Sequence, residues 1–161
     1  MPDGVLLDTS FLITFANPKR PNHAVARRYF NHFAGEGIPM FLSTIVASEF
    51  CLMQPVTDLP LDAIIVLPYN LDDAKSTAQL NFKKYTGSEN EMRVILKDDF
   101  KLLGQAKAND IGFLITEDAR TLYKYCSELR AKGEINTRPI KLVDGFDKTH
   151  FDPAGQKYLA L

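Results

Sequence analysis

The chain has 161 residues, of which 45% are hydrophobic and 24% are charged, and its formal net charge is −1. This composition predicts a single domain over residues 1–161 with a proper hydrophobic core, and the near-neutral charge argues against nonspecific coating of nucleic acid. No apolar run reaches the roughly 18 residues of a membrane span, and no basic and apolar leader opens the chain, so we expect a cytoplasmic protein.

A short apolar run near the N-terminus ends in a carboxylate and two hydroxyls. Residues Val5–Leu7 indicate a buried parallel strand, which is followed by Asp8, Thr9 and Ser10 and then by a helix that starts near Phe11. Ligands bind at the carboxyl ends of strands in open α/β sheets, so Asp8 is a candidate site residue. The alternative is that Asp8 or Ser10 only caps the helix.

The same arrangement recurs towards the other end of the chain. Residues 111–116 form a second apolar run that ends at Thr116, and Asp118 and Arg120 follow it in a helical pattern. Parallel neighbours in a sheet share their direction, so Asp8 and Asp118 converge if the two strands lie close together.

Between and beyond these runs, strands and helices alternate in about five βα units, which predicts an α/β domain with a mainly parallel sheet. Further strands are predicted at residues 39–42, 63–67 and 140–143. Helices are predicted to begin near Phe11, Asn22, Ile45, Asn70, Asp98 and Leu122. We expect Asp72 and Asp73 to have a structural role, because acids in the first turn stabilise a helix.

The helix after the second predicted strand carries one acid in apolar surroundings. Ile45, Val46, Phe50 and Met53 lie at helical spacing, and Glu49 lies among them. Glu49 therefore either faces solvent at the margin of this apolar stripe or points towards the carboxylate edge.

Two adjacent aspartates precede another apolar helical pattern. Asp99 shares a face with Leu102, Leu103 and Ala106, whereas Asp98 points away from that face. An inward carboxylate has to be paired, hydrogen-bonded or bound to a cation, because burial of an isolated charge is costly. We expect Asp99 to face inward and Asp98 to be the N-cap of a helix that begins there.

The acids Asp8, Glu49, Asp99 and Asp118 thus come from four separate elements. If they meet, one of them stays protonated unless a cation is present, because neighbouring carboxylates repel one another. The set contains carboxylates and no Cys or His, and such hard oxygen ligands favour Mg²⁺ or Mn²⁺ over zinc. Such a cluster supports the hydrolysis of phosphodiester bonds.

Hydroxyl side chains flank these acids and could contact metal-bound water or phosphate. Ser10 is a stronger candidate than Thr9, because the second residue after the end of a strand returns to the same side of the sheet. Thr116 and Asp98 complete the set of supporting candidates.

Positive charge is concentrated in one early segment. Residues 17–35 contain four cations and no acid, whereas residues 29–74 contain six acids and no lysine or arginine. The segment is either a solvated helix face or a surface that grips a polyanion beside an acidic centre. The candidate phosphate contacts are Arg27, Arg28, Lys97, Lys101 and Arg120.

Four segments together resemble a PIN domain, and they occur in that family's order and at similar separations. They are residues 6–12 with Asp8, residues 47–50 with Glu49, Asp99 with Leu103 and Ala106, and residues 114–118 with Asp118. The resemblance covers residues 4–145 and leaves 146–161 as a C-terminal tail. It implies a three-layer α/β/α sandwich with strand order 3-2-1-4-5, whose acids bind the Mg²⁺ or Mn²⁺ of a ribonuclease.

Many single-domain members of that family are toxins of VapBC-type modules, so the resemblance also implies an RNA substrate, an antitoxin partner and a homodimer. The chain departs from compact toxins in a long 85–97 connection and in its extended tail. Two alternatives are a noncatalytic PIN-like module that binds RNA or protein and a phosphatase of haloacid-dehalogenase type. Phosphatases of that type carry an Asp-x-Asp motif that begins at the end of a strand. In this chain the motif would begin at Asp8, and Ser10 stands where the second acid would be.

Overall fold

A computed structural model describes residues 4–85 and 90–152, with residues 90–95 described by their backbone alone. The predicted polar loop at 86–90 therefore lies outside the described residues except for Asn90, as does the tail beyond residue 152. The strands are β1 (Val5–Leu7), β2 (Met40–Ser43), β3 (Ile65–Leu67), β4 (Phe113–Thr116) and β5 (Arg138–Lys141). The helices are α1 (Thr9–Ala16), α2 (His23–Glu36), α3 (Thr44–Phe50), α4 (Leu71–Leu80), α5 (Asn90–Ala108) and α6 (Leu122–Ala131).

All five strands are parallel and form one sheet in the order β3-β2-β1-β4-β5. Right-handed crossovers place the helices of the β1-to-β3 half on one face and those that return towards β5 on the other. In agreement, α1 contacts α2 and α3, whereas α5 contacts α4 and α6. The fold is a three-layer α/β/α sandwich with the strand order that the resemblance predicted.

The strands at the centre of the sheet are the most completely buried. Val5–Leu7 of β1 are fully buried, as are Leu114 and Ile115 of β4, because helices cover both faces there. Leu7 lies in register with Ile115, so β1 and β4 end at the same edge of the sheet. By contrast, Ile65 on the edge strand β3 is half exposed. Within residues 4–85 and 90–152, no helix is long and apolar enough to cross a membrane.

Helix α5 begins eight residues earlier than the sequence predicted. It starts at Asn90, so Asp98 lies in the middle of the helix and is not its N-cap. The predicted 85–97 connection is likewise wrong from residue 90 onwards. Residues 91–96 include Glu, Met, Arg and Leu, which favour helices, and no Gly or Pro interrupts the helix before Gly104.

Tyr29 of α2 joins the described part of the C-terminal tail to the body of the fold. Its buried hydroxyl donates to the carbonyl of Gly145 and accepts from the amide of Asp147. The rings of Phe146 and Phe151 pack against the Tyr29 ring. Up to residue 152, the tail therefore lies against α2.

The long helices α4 and α5 are joined by a buried carboxylate. Asp73 completes a capping box with Asn70 and accepts hydrogen bonds from the amide side chains of Gln105 and Asn109. Its predicted structural role is confirmed. One turn along, Gly104 of α5 faces Thr77 of α4, and a Cβ at Gly104 would lie 2.6 Å from the backbone N and Cα of Thr77.

We predict that Gly104→Ala lowers the free energy of unfolding by about 1–3 kcal/mol, because the added methyl group overpacks the contact between α4 and α5. Gly35→Ala is the matched control, since a Cβ there meets nothing within 4 Å. The control should gain up to about 1 kcal/mol from helix propensity. Urea unfolding measures both, and an equal stability of the two variants would contradict the prediction.

Candidate active site

Asp8 lies at the end of the central strand β1 and is only 7% exposed. Asp8 occupies the N-cap position of α1, but its side chain makes no capping hydrogen bond. Instead, Oδ2 accepts from the hydroxyls of Ser10 and Thr116, each at 2.8 Å. Burial raises the pKa of Asp8 despite these two hydrogen bonds, and the charge of Asp118 adds to the shift.

Ser10 and Thr116 connect the ends of β1 and β4. Their hydroxyl oxygens lie 3.1 Å apart. Ser10 Oγ also accepts from the backbone amide of Glu117, and Thr116 Oγ1 accepts from that of Asp118. The two hydroxyls thus fix both Asp8 and the backbone that carries Asp118.

Asp118 follows β4 and is bonded to the turn before α6. Its Oδ1 accepts from the amides of Arg120 and Thr121, and its Oδ2 accepts from the Thr121 hydroxyl at 2.7 Å. Burial alone would raise the pKa of Asp118, but these hydrogen bonds outweigh it and lower the pKa. Asp118 is therefore anionic at neutral pH.

Glu49 of α3 points towards the carboxylate edge, which decides between its two predicted orientations. Its Oε2 accepts from the Thr9 hydroxyl at 2.7 Å. Burial raises the pKa of Glu49, and the charges of Asp8 and Asp98 raise it further. Thr9 and Ser10 thus bond to different acids, and both are part of the site.

Asp99 faces inward from α5, as predicted. Its Oδ2 is buried and has no hydrogen-bond partner among the described residues. Burial raises the pKa of Asp99 to about 7. The Thr121 hydroxyl opposes this rise, and the charges of Asp8, Asp118 and Glu49 add to it, so the four acids from four elements lie close enough to interact.

Asp98 has the other orientation. Its side chain is 46% exposed and lies 3.3 Å from the Lys101 ammonium. The geometry therefore favours Asp99 over Asp98 as the inward acid, and it gives Lys101 a carboxylate partner on its own helix.

The other predicted phosphate contacts are dispersed over the surface. Arg27 and Arg28 are exposed on α2, where they lie over the rings of Phe15 and Phe146. Lys97 on α5 and Arg120 beside Asp118 are also exposed. A role in phosphate binding stays a prediction for all of these residues.

The acids are close enough to repel one another, but their side chains are not arranged as a complete set of metal ligands. In the described part of the chain, no three Asp, Glu, His or Cys side chains are arranged to bind one metal ion. Two side chains of the site were not predicted from the sequence. Thr121 orients Asp118, and Glu117 accepts from Arg20 at 3.0 Å. The position of Glu117 directly before Asp118 was the signal that could have identified it.

No protein-family model matches the sequence, and no curated protein matches it either. Solved structures do match. A chain of VapBC2 from Rickettsia felis, bound to a DNA fragment from its promoter, has a TM-score of 0.57 at 11% identity, and the match covers 84% of this chain and 97% of that one.

Two further matches are similar in extent. FitAcB from Neisseria gonorrhoeae has a TM-score of 0.57 at 15% identity, with 83% of this chain and 96% of that chain covered. VapC20 from Mycobacterium tuberculosis, a toxin that cleaves the sarcin–ricin loop, has a TM-score of 0.52 at 15% identity, with 84% and 100% covered. The chain therefore has the PIN-like, VapC-type fold.

Proposed function

We propose that the chain is a Mg²⁺- or Mn²⁺-dependent endoribonuclease that hydrolyses phosphodiester bonds in RNA. The observation that carries the proposal is the convergence of Asp8, Glu49, Asp99 and Asp118 at one sheet edge, with one oxygen of Asp99 buried and unpartnered. Crowded, dehydrated carboxylates are costly unless a cation neutralises them. The fold shared with VapC20 supports the same reaction class.

The donor set fits a hard divalent cation. It offers carboxylate and hydroxyl oxygens, and Mg²⁺ keeps several waters while binding one or two carboxylates and the phosphates of its substrate. A protein site with fewer than three ready ligands is therefore sufficient. Asp8, Asp99 and Asp118 would bind the ion, and Glu49 would face it or its water. Once bound, the ion supplies an activated water and stabilises the charge that develops on the phosphate.

The hydroxyls of the site position its acids. Ser10 and Thr116 both donate to Oδ2 of Asp8. Thr9 orients Glu49, and Thr121 orients Asp118. Because these hydrogen bonds already hold the acids in position, a cation can bind without reorienting them. We therefore expect each hydroxyl to increase the affinity of the site for the ion indirectly.

We also propose that the chain acts as the toxin of a toxin–antitoxin pair and forms a homodimer. The VapBC2 complex that shares its fold is bound to promoter DNA, and the match spans nearly all of that chain. An antitoxin would inhibit this protein by covering the acidic edge. Copurification of a small DNA-binding protein encoded immediately upstream, with loss of RNA cleavage in the complex, would support this role.

A phosphoaspartate mechanism is the less favoured alternative. Its second acid would stand two residues after the nucleophile, but that position is Ser10, whose hydroxyl is already bonded to Asp8 Oδ2. A noncatalytic module that binds RNA or protein is the other alternative, and the following assay separates it from a nuclease.

We predict that Asp8→Asn and Asp118→Asn each reduce Mn²⁺-dependent cleavage of single-stranded RNA by about 100-fold or more, because each removes a negative ligand. Asp72→Asn is the control, since its side chain is 83% exposed on α4, on the other face of the sheet from α1 and α3. It should stay within about threefold of the wild type, which is the range of a surface electrostatic change. Persistent cleavage in both site variants would contradict the mechanism.

We predict that, without divalent cations, stability falls as the pH rises from about 4 to 7. Asp99 keeps its proton in the folded state up to a pKa of about 7, whereas the exposed side chain has a pKa of 3.8. Between these two pH values the unfolded state has already released the proton, so the free energy of unfolding falls as the pH rises. Thermal unfolding in EDTA at pH 5 and pH 7.5 measures the effect. Asp99→Asn should remove about 1–3 kcal/mol of the dependence.

Addition of MnCl₂ at pH 7.5 should raise the melting temperature of the wild type and leave that of Asp99→Asn nearly unchanged, because the ion replaces the lost proton at Asp99. An identical pH dependence in wild type and Asp99→Asn would contradict this account of the buried carboxylate.

A further inference from the structure

A cleft of about 470 Å³ lies beside the acidic edge, between the α1–α2 connection and the end of β4. Its lining includes Asn17, Lys19, Arg20, Asn22 and Glu117. Clefts of about 300–1,000 Å³ are typical of sites for small ligands, so this one has room for a single nucleotide.

The cleft is connected to the acids through two hydrogen bonds. The backbone amide of Glu117 donates to Ser10 Oγ, and Ser10 Oγ donates to Asp8 Oδ2. Glu117 also directly precedes Asp118 in the chain. A strand of RNA that reaches Asp8 and Asp118 can therefore place a neighbouring nucleotide in the cleft.

The cationic side of the cleft is preorganised. Arg20 Nε donates to the hydroxyl of the buried Thr14, and Nη2 donates to Glu117 Oε2. A guanidinium has five N–H donors, so further donors remain for a ligand. Lys19 is exposed and has no ion-pair partner among residues 4–85 and 90–152.

The start of α2 adds to this positive potential. Asn22 is the N-cap of the helix, but its side chain makes no capping bond, and the first turn contains no acid. Asn22 Nδ2 instead donates to Glu117 Oε1. The carboxylate of Glu117 thus receives hydrogen bonds from Arg20 and Asn22 beside the positive end of a helix, a place that also suits a phosphate.

We propose that this cleft binds the nucleotide next to the scissile bond, with Arg20 and Lys19 contacting its phosphate and Glu117 as the anion that the phosphate displaces. The inference rests on the proposed function, and it names a part of the RNA site that differs from the five cations predicted from the sequence. Two of those, Arg27 and Arg28, lie over aromatic rings instead.

The test is the binding of a fluorescein-labelled, single-stranded RNA 12-mer, followed by anisotropy in EDTA between 50 and 200 mM KCl. The variants are Lys19→Gln, Arg20→Gln and Glu117→Gln. Lys75→Gln is the matched control, because Lys75 is an exposed lysine on α4, on the other face of the sheet. Thermal unfolding of each variant checks that it is folded.

Lys19→Gln and Arg20→Gln should each weaken binding by roughly 3- to 10-fold and reduce the slope of log affinity against log salt by about 0.7. Glu117→Gln should bind RNA more tightly than the wild type, because it removes the competing charge. A merely structural Arg20–Glu117 pair would lower stability without tightening RNA binding.

Wild-type affinity and salt slope in both Lys19→Gln and Arg20→Gln would overturn the inference, as would a Glu117→Gln variant that binds RNA no more tightly than the wild type. These results are independent of cleavage. If the expected binding changes occur in a protein that never cleaves RNA with Mn²⁺, the cleft assignment stands and the nuclease proposal fails. If cleavage occurs but the binding changes do not, the reverse holds.

Discussion

The burial of Asp8 at the end of the central strand is the constraint on which the rest of the site depends. A carboxylate in that position requires hydrogen bonds, and Ser10 and Thr116 provide them to one oxygen from two different strands. The parallel pairing of β1 with β4 brings Thr116 to Asp8, and the amides that follow β4 then bond to the same two hydroxyls. One buried acid therefore fixes the geometry of the neighbouring strand end, and with it the position of Asp118.

The acids around Asp8 have different surroundings, and their pKa values shift in different directions. Asp118 accepts several hydrogen bonds, and its pKa is lowered, whereas burial and neighbouring charge raise the pKa of Asp99 to about 7. One oxygen of Asp99 thus has no hydrogen-bond partner among the described residues, although the α4–α5 interface gives the fully buried Asp73 several donors. That contrast argues that the unpartnered oxygen of Asp99 is tolerated for the sake of a ligand and not through a general lack of donors.

The sequence predicts this architecture where a local pattern decides the outcome. The apolar runs that end at Asp8 and Thr116 predict the central strand β1 and its neighbour β4, and the spacing of Asp99 relative to Leu103 and Ala106 predicts its inward face. It fails where the deciding contact is distant or the signal ambiguous. Thr9 fixes the orientation of Glu49 from 40 residues away, and the Arg20–Glu117 contact spans 97 residues. Asp98 resembles a helix start because acids favour first turns, yet α5 begins at Asn90.

The central claim is that these acids share a divalent cation, and anomalous diffraction from crystals soaked in MnCl₂ tests it most directly. The account predicts a manganese peak within coordination distance of Asp8, Asp99 and Asp118, with Glu49 facing the ion or its water. A site without a peak, in which lysine or arginine side chains neutralise each acid separately, would contradict it.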